Sequence, residues 1–237
     1  LIFFLTLGLL FTTSVFGKDQ KIKYSKNNIS NYFSGIASIN LDSPNNTFKY
    51  LDKVQSLKST HSNYNIQYLR TLIILEKFQQ AFDFSNSVWK KDELFFEADL
   101  ILGLNYFLNK EYVKAEIHFQ RLNEISRYNF LFQDFVGNVL IAWSKASNNK
   151  NEESFKFINK IPSRYHHIKQ IQKSFLHCFY GSNETENQFR KLIENESYDF
   201  SRYNFFLVDY LLSKQEIKKA KNVINISRKE YSSNLLI

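Results

Sequence analysis

Cysteine, proline, glycine and methionine are all scarce in this chain of 237 residues. The one cysteine, Cys178, excludes an internal disulfide framework. Only two prolines and six glycines occur, so long helices have few interruptions. Methionine is absent even at position 1, so we expect a fragment or a processed chain, with sequence missing before Leu1 and after Ile237.

Aromatic residues and positive charge are abundant instead. The 24 Phe and 14 Tyr supply ample core material and argue against wholesale disorder. The formal net charge of +8 is compatible with binding to nucleic acid or to an anionic surface. The basic residues, however, are spread along the chain without interleaved aromatics. We therefore expect no nucleic-acid binding and at most weak contact with anionic lipid or cell-wall polymers. The other interpretation is a solvated outer face.

The first 17 residues have the pattern of a signal peptide whose basic start is missing. Residues 1–11 are almost wholly apolar, too few to span a bilayer, and Val15 and Gly17 suit a signal-peptidase site before Lys18. Residues 18–27 are polar and basic and predict a tether. We expect export to the periplasm of a Gram-negative bacterium; the alternative is an uncleaved segment that anchors the protein in the inner membrane.

One stretch between the two ends carries a spaced pattern of small and large side chains. Its members are Leu102, Gly103, Tyr106, Ala115, Phe119 and Leu122, with a polar turn at 109–111. Two antiparallel helices pack closely only where a side chain is small, which Gly103 and Ala115 provide. The spacing resembles the tetratricopeptide repeat (TPR), a helix–turn–helix unit of about 34 residues. Asp99 stands where that family has its opening Trp.

The same pattern recurs at steps of 34 residues, giving Leu69 and Gly35 one and two steps before Gly103 and Gly137 one step after it. The residues expected to pack the repeats are Gly35, Thr47, Leu69, Ala81, Gly103, Tyr106, Ala115, Phe119 and Gly137. The predicted fold is all-α, with helix–turn–helix repeats stacked as a right-handed TPR-like superhelix, an α-solenoid. The alternative is a plain helical bundle.

Residues 28–237 are expected to hold about six helix pairs, truncated at the C-terminus. The predicted pairs are 29–40 with 45–57, 63–75 with 78–90, 94–108 with 111–125, 130–146 with 152–161, 165–180 with 184–194, and 201–212 with 216–228. In the fourth pair we expect an insertion of about five residues at the turn 147–151. The proline near the end of each TPR unit is replaced here by Ser59, Glu93 and Arg127, which leaves the sharpness of those turns open.

The resemblance implies a partner-binding surface, because the first helices of TPR proteins line a concave face. Carried over by position, this face comprises Tyr32, Phe33, Ile36, Ile39, Ile66, Gln67, Arg70, Ile73, Leu100, Ile101, Leu104 and Phe107. It is mostly apolar and predicts a groove for an apolar or helical partner segment. A carboxylate clamp is not expected, since Glu97 and Ile101 stand where such members have basic or amide groups. The other interpretation is that tight winding, or missing repeats, buries these residues.

The sequence shows no catalytic or metal-binding motif. His166-His167 and His177-Cys178 come nearest, but no Cys-x-x-Cys or His-Glu-x-x-His pattern accompanies them. We therefore expect no enzymatic activity, cofactor or metal. Three hypotheses remain: a protein-interaction scaffold of the cell envelope, the helical non-catalytic arm of a longer cell-wall enzyme, and a self-assembling structural protein.

Overall fold

The computed structural model describes residues 25–126, 135–194 and 198–230. Within these ranges the chain forms helices and no strand, so the prediction of an all-α fold is confirmed. The twelve α-helices are α1 (Lys26–Asn40), α2 (Pro44–Leu51), α3 (Ser62–Ile74), α4 (Phe78–Val88), α5 (Phe96–Leu108), α6 (Tyr112–Ser126), α7 (Val136–Ser147), α8 (Asn151–Asn159), α9 (His166–Phe179), α10 (Thr185–Ile193), α11 (Asn204–Ser213) and α12 (Ile217–Glu230). Short 3₁₀ segments occupy Asp52–Ser59, Ser163–Tyr165 and Ser201–Tyr203.

The predicted signal peptide and most of the predicted tether lie outside the described residues. The end of that tether is helical, because α1 begins at Lys26, where the Ser25 hydroxyl accepts a hydrogen bond from the Asn28 N–H at 3.1 Å. No helix in the described ranges is long and apolar enough to cross a bilayer.

In the described ranges the helices form six pairs, and the two helices of each pair are joined by the same type of turn. Each turn holds one residue in the left-handed conformation: Asp42, Glu76, Lys110, Asn149, Gly181 and Gln215. In every case its N–H donates to the carbonyl three residues back, and the next N–H donates to the carbonyl five residues back. This is the Schellman motif, which satisfies the last carbonyls of the first helix and reverses the chain.

The repeat period can be measured from these turns. Successive left-handed residues are 34, 34, 39, 32 and 34 residues apart, so the predicted register is confirmed through the third pair. The insertion predicted at 147–151 is wrong, because Asn148–Lys150 is a turn of ordinary length between α7 and α8. The extra residues lie earlier, between Lys110 and Asn149.

This displacement changes the packing residues of the fourth pair. Ala142 and Ser154, both 0% exposed, occupy the places that Gly103 and Ala115 hold in the third pair. The assignment of Gly137 to the first of these places is wrong by five residues. A Cβ atom on Gly137 would instead lie 2.8 Å from Cγ of Asn123, so this glycine accommodates α6 of the preceding pair.

The close approach predicted within each pair is present at two glycines. A Cβ on Gly103 would lie 2.6 Å from Cδ1 of Phe119, and one on Gly35 would lie 2.5 Å from Cδ2 of Leu51. Leu51 holds the place in the first pair that Phe119 holds in the third. The remaining expected packing residues lie inside, with Thr47 at 1% and Leu69, Ala81 and Ala115 at 0% exposure, whereas Tyr106 is half-buried.

The chain divides into two compact units after Tyr68. In the first unit, α1 packs on α2, and α2 ends at Leu51 instead of continuing to the predicted residue 57. Val54 leaves the helical region at φ −120° and ψ 31°. The buried Tyr64 hydroxyl donates to the carbonyl of Leu51 at 3.2 Å, and Tyr68 donates to Asp52 Oδ1 at 2.6 Å. The first bond supplies a partner for the carbonyl at the end of α2, and the second ties α3 to the residue that follows α2.

The second unit packs its helices in chain order, each chiefly against the next, from α4 to α12. Its buried side chains gather in successive clusters: one around Phe119 and Ile141, one around Ile158 and Leu176, and one around Phe189 and Leu211. The apolar face of one pair is thus covered by the next, as in a helical-repeat protein.

Candidate functional site

Each of the two units carries a candidate surface that we name its first-helix face. It consists of the residues that stand ten, nine, six and three positions before each left-handed turn residue. The twelve residues predicted on α1, α3 and α5 all occupy these places. The same places on the later first helices hold Val139, Leu140, Trp143 and Ala146 on α7, Ile171, Gln172, Phe175 and Cys178 on α9, and Phe205, Phe206, Asp209 and Leu212 on α11.

None of the twelve predicted residues is buried. Phe33 is 64% exposed, Leu104 is 37% exposed, and Arg70 is also exposed. The other nine, Tyr32, Ile36, Ile39, Ile66, Gln67, Ile73, Leu100, Ile101 and Phe107, are half-buried. One side of each such side chain packs on the core and the other is exposed to solvent, as expected for residues that can bind a partner.

In the first unit, the start of this face is held by polar and ring contacts. The amide nitrogen of Asn63 donates to the Tyr32 hydroxyl at 3.1 Å. The Tyr32 ring lies 4.9 Å from the His61 ring and 5.7 Å from the Phe33 ring. The exposed Phe33 ring therefore packs against a tyrosine that is itself held by His61 and Asn63.

In the second unit, contacts join face residues of neighbouring first helices: the residue six positions before one turn residue contacts the residue nine positions before the next. Nε1 of Trp143 donates to Oε1 of Gln172 at 2.7 Å, joining α7 to α9. The rings of Phe175 and Phe206 meet edge to face at 4.9 Å, joining α9 to α11. The face of this unit is thus continuous from α7 to α11.

The one basic residue predicted on the face is paired. Arg70 donates through Nε at 2.9 Å and Nη2 at 2.6 Å to Oε1 of Glu97 on α5. The guanidinium charge is therefore matched by a carboxylate at one end of the second unit's face. At its other end stands the exposed carboxylate of Asp209.

Sequence reasoning missed the aromatic part of this face. The face was predicted only on α1, α3 and α5, so Trp143, Phe175 and Phe206 on the later first helices were not identified. The five extra residues before α7 also displaced the predicted register of the fourth pair. The sequence does contain a signal for them: Asn149-Lys150 is the turn that corresponds to Lys110-Glu111. Aligning the pairs on these turns would have placed Trp143 on the face.

A second, buried cluster surrounds Asp99, the residue that replaces the family's tryptophan. Asp99 is 0% exposed. Its Oδ1 accepts hydrogen bonds from Nε1 of Trp89 at 2.8 Å and Nε of Arg121 at 2.9 Å, and it lies 2.9 Å from Nδ1 of His118. The His118 ring is held between Trp89 and Tyr106, whose centroids are 5.3 Å and 5.6 Å away.

Arg121 also fixes the turn between the second and third pairs. Its guanidinium donates to the carbonyls of Lys91 at 2.6 Å and Lys90 at 3.1 Å, and to that of Glu93. Glu93 stands where the family has its helix-stopping proline. Three carbonyls tied to one cation, itself neutralised by Asp99, hold this turn without proline. Because the polar groups of this cluster bond to one another and to the turn carbonyls, we assign the cluster a structural role.

A buried lysine ties three helices together in the second unit. Nζ of Lys145 on α7 lies 2.8 Å from Glu116 on α6 and 2.7 Å from Glu153 on α8. Burial alone would lower the pKa of Lys145, but the hydrogen bonds that Nζ donates to both carboxylates, together with their negative charges, outweigh burial and raise that pKa. The lysine therefore stays charged and holds the two carboxylates.

The histidines and the cysteine that come nearest to a metal motif are dispersed. His166 is exposed, and the His167 ring lies 5.1 Å from Tyr198. Nδ1 of His177 is 3.2 Å from the Ser182 hydroxyl, and burial lowers the pKa of His177. Within the described ranges, no three His, Cys, Asp or Glu side chains are grouped so as to hold a metal ion.

No protein-family model matches the chain, and no curated protein matches it at a significant level. Solved structures do match. MamA protein superposes with a TM-score of 0.57 at 16% identity, covering 72% of this chain and 92% of that one. A tetratricopeptide repeat protein from Parabacteroides merdae superposes with a TM-score of 0.51 at 12% identity, covering 90% of this chain and 96% of that one. The chain has a TPR-like fold.

A further match to the MamA RS-1 ArsTM double mutant has a TM-score of 0.56 at 14% identity, over 72% of this chain and 94% of that one. These identities are too low to transfer site residues one by one. The residues assigned to the first-helix face of this TPR-like chain therefore rest on its own turns, exposures and contacts.

Proposed function

We propose that this TPR-like protein is a non-enzymatic scaffold that binds an apolar segment of a partner protein along its first-helix face. The observation that carries the proposal is the run of apolar, partly exposed side chains on neighbouring first helices, which Trp143, Phe175 and Phe206 continue beyond the predicted set. Helical partners commonly place an apolar stripe in such a groove.

The chemistry of the face favours an apolar partner over a charged one. Aromatic and aliphatic side chains dominate it, and large aromatics provide much of the binding energy at protein interfaces. Arg70 is already paired with Glu97, so it offers no free cation to an acidic tail. We propose a partner segment with apolar side chains spaced along one side.

We further propose that the protein acts in the cell envelope. The apolar residues 1–11 and the small residues Val15 and Gly17 support export, with the periplasm favoured and an inner-membrane anchor as the alternative. Self-association through the same face is the competing use of this surface. Sedimentation over a wide range of concentration tests it, because a monomer throughout would contradict self-assembly.

A pair of matched variants tests partner binding. Leu104 on the first-helix face and Val113 on α6 are 37% and 62% exposed, and both lie in the third helix pair. Leu104→Asp places a charge on the proposed surface, whereas Val113→Asp places the same charge elsewhere on that pair. Each tagged chain is cross-linked in cell envelopes, and the captured proteins are identified. We expect Leu104→Asp to lose a partner that Val113→Asp retains; equal recovery by both variants would contradict the proposal.

A further inference from the structure

The last helix of the described chain, α12, has a strongly basic outer side. Ala220, Val223 and Ser227 are its buried residues. The opposite side carries four exposed cations: Lys218, Lys221, Arg228 and Lys229. Because an α-helix rises about 1.5 Å per residue, these cations span roughly 17 Å. They form what we name the basic stripe of α12.

The basic stripe is not neutralised by neighbouring carboxylates. Lys219, on the flank of the same helix, lies 3.1 Å from Glu186 on α10 and also pairs with Glu216. None of the four stripe residues forms an ion pair with another described residue. The four stripe cations are therefore exposed and form no ion pair within the part of the chain that the structure describes.

Apolar side chains border the stripe. Ile217 is 55% exposed and Ile226 is 45% exposed. At about 100° per residue they lie near opposite edges of the outer side, with the cations between them. Cations flanked by exposed isoleucines match the boundary of a bilayer, where anionic headgroups lie above acyl chains.

We propose that the basic stripe of α12 docks the protein on an anionic phospholipid surface. The contact is electrostatic and reversible, because the apolar side of α12 is already committed to the core. Each Lys or Arg near an anionic membrane contributes about a factor of five in affinity, so four cations give weak attachment that salt reverses. This surface is separate from the first-helix face and leaves that face free for a partner.

The stripe fits a membrane better than a nucleic acid. Three of its four cations are lysines, and Asn222 and Asn225 lie exposed among them instead of aromatic residues that could stack on bases. A single convex helix side also suits a plane better than a groove does. The test must therefore distinguish membrane binding from nucleic-acid binding.

The test measures sedimentation of the full chain with lipid vesicles. One set of vesicles is phosphatidylcholine alone, and the other contains phosphatidylglycerol as a third of its lipid. We expect binding only to the anionic vesicles, lost as sodium chloride is raised. The triple variant Lys218→Gln, Lys221→Gln, Lys229→Gln should bind roughly a hundredfold more weakly, at about a factor of five for each charge.

A matched triple variant controls for net charge. Lys49, Lys53 and Lys58 are exposed in the first unit, and changing all three to Gln removes the same charge elsewhere. We expect this variant to retain most of the binding, and circular dichroism confirms the folding of both triples. Equal losses in the two triples, equal binding to both kinds of vesicle, or stripe-dependent binding to a short DNA duplex without binding to vesicles would overturn the proposal.

Discussion

At the scale of single residues, the fold depends on side chains that are missing or unusually paired. Gly103 lets the Phe119 ring lie against the backbone of α5, and Gly35 does the same for Leu51. Asp99 puts a carboxylate at a place where the family has an indole, and the cluster around it compensates the burial of that charge. Each feature predicts the effect of a single substitution.

Substituting Gly103 should destabilise the protein. The added Cβ of Gly103→Ala would lie 2.6 Å from Cδ1 of Phe119, a ring that is itself fully buried. We expect a loss of about 1–3 kcal/mol, and more for Gly103→Leu, because overpacking forces the helices apart. Urea denaturation measures the loss. Gly181→Asn is the control: its φ of +61° is tolerated by Asn, and nothing lies within 4 Å of its Cβ.

Removing the cation beside Asp99 should cost more than removing one at the surface. Arg121→Met leaves the buried Asp99 carboxylate without its positive partner and frees three turn carbonyls, so we expect a loss of about 3–5 kcal/mol. Arg190→Met removes an arginine from a half-exposed pair with Glu186 within α10, which is worth about 1 kcal/mol or less. Equal melting temperatures for the two variants would show that the Asp99 cluster does not hold the turn.

At the scale of elements, the same type of turn joins the two helices of each described pair. Its left-handed residue is a glycine in one of these six turns. Asp42, Glu76, Lys110, Asn149 and Gln215 adopt the left-handed region despite their Cβ atoms. The Schellman hydrogen bonds and the packing on both sides maintain this conformation at a local cost.

Relieving that cost should stabilise the protein. Lys110 has a φ of +63° and is exposed, so Lys110→Gly removes a Cβ from a strained position without removing a buried contact. We expect a gain of about 1 kcal/mol in the free energy of unfolding. Lys110→Ala keeps the strain while deleting the charge and should give no gain. A gain in both variants would show that charge, not conformation, is responsible.

The break after α2 predicts a dependence on alkaline pH. Burial raises the pKa of Tyr64 and the pKa of Tyr68 well above the usual tyrosine value. A folded pKa above the unfolded one means that the stability these groups contribute is full below about pH 10 and falls as the pH rises beyond it. Melting temperatures measured from neutral to strongly alkaline pH should show this fall. Tyr64→Phe should lower stability at neutral pH and make the fall shallower; curves that stay parallel to wild type would contradict this origin.

At the scale of the whole molecule, the second unit is held together by contacts between successive helices. Such repeat arrays lose stability locally, because each pair contacts mainly its neighbours. The two surfaces that we propose for function lie on different elements: the first-helix face lies on α1, α3, α5, α7, α9 and α11, and the basic stripe lies on α12.

Local stability can be tested by hydrogen exchange. In the Gly103→Ala variant we expect faster amide exchange in α5 and α6, a smaller effect in α7 and α8, and little change in α11 and α12. Mass spectrometry of peptic fragments under native conditions resolves these segments. Uniform acceleration throughout α4 to α12 would show that the second unit opens as a single cooperative body.

Residue spacing was enough to predict the helix pairs, their period over the first three units and the close-packing role of Gly103. These follow from local requirements, since a small residue at a helix crossing and polar residues at a turn recur wherever a pair must pack and reverse. The register of the fourth pair was not available this way. The five extra residues before α7 displace this pair, so Gly137 was assigned the place at which Ala142 packs.

Which unusual residues compensate one another could be seen only in the packed structure. Trp89, His118 and Arg121 stand 10, 19 and 22 residues from Asp99 along the chain, and no local pattern marks the four as one buried cluster. The same holds for Trp143 with Gln172, and for the exposure of the basic side of α12. Secondary structure follows from periodicity along the chain, whereas the partners of a buried charge and the faces open to solvent follow from which helices come together.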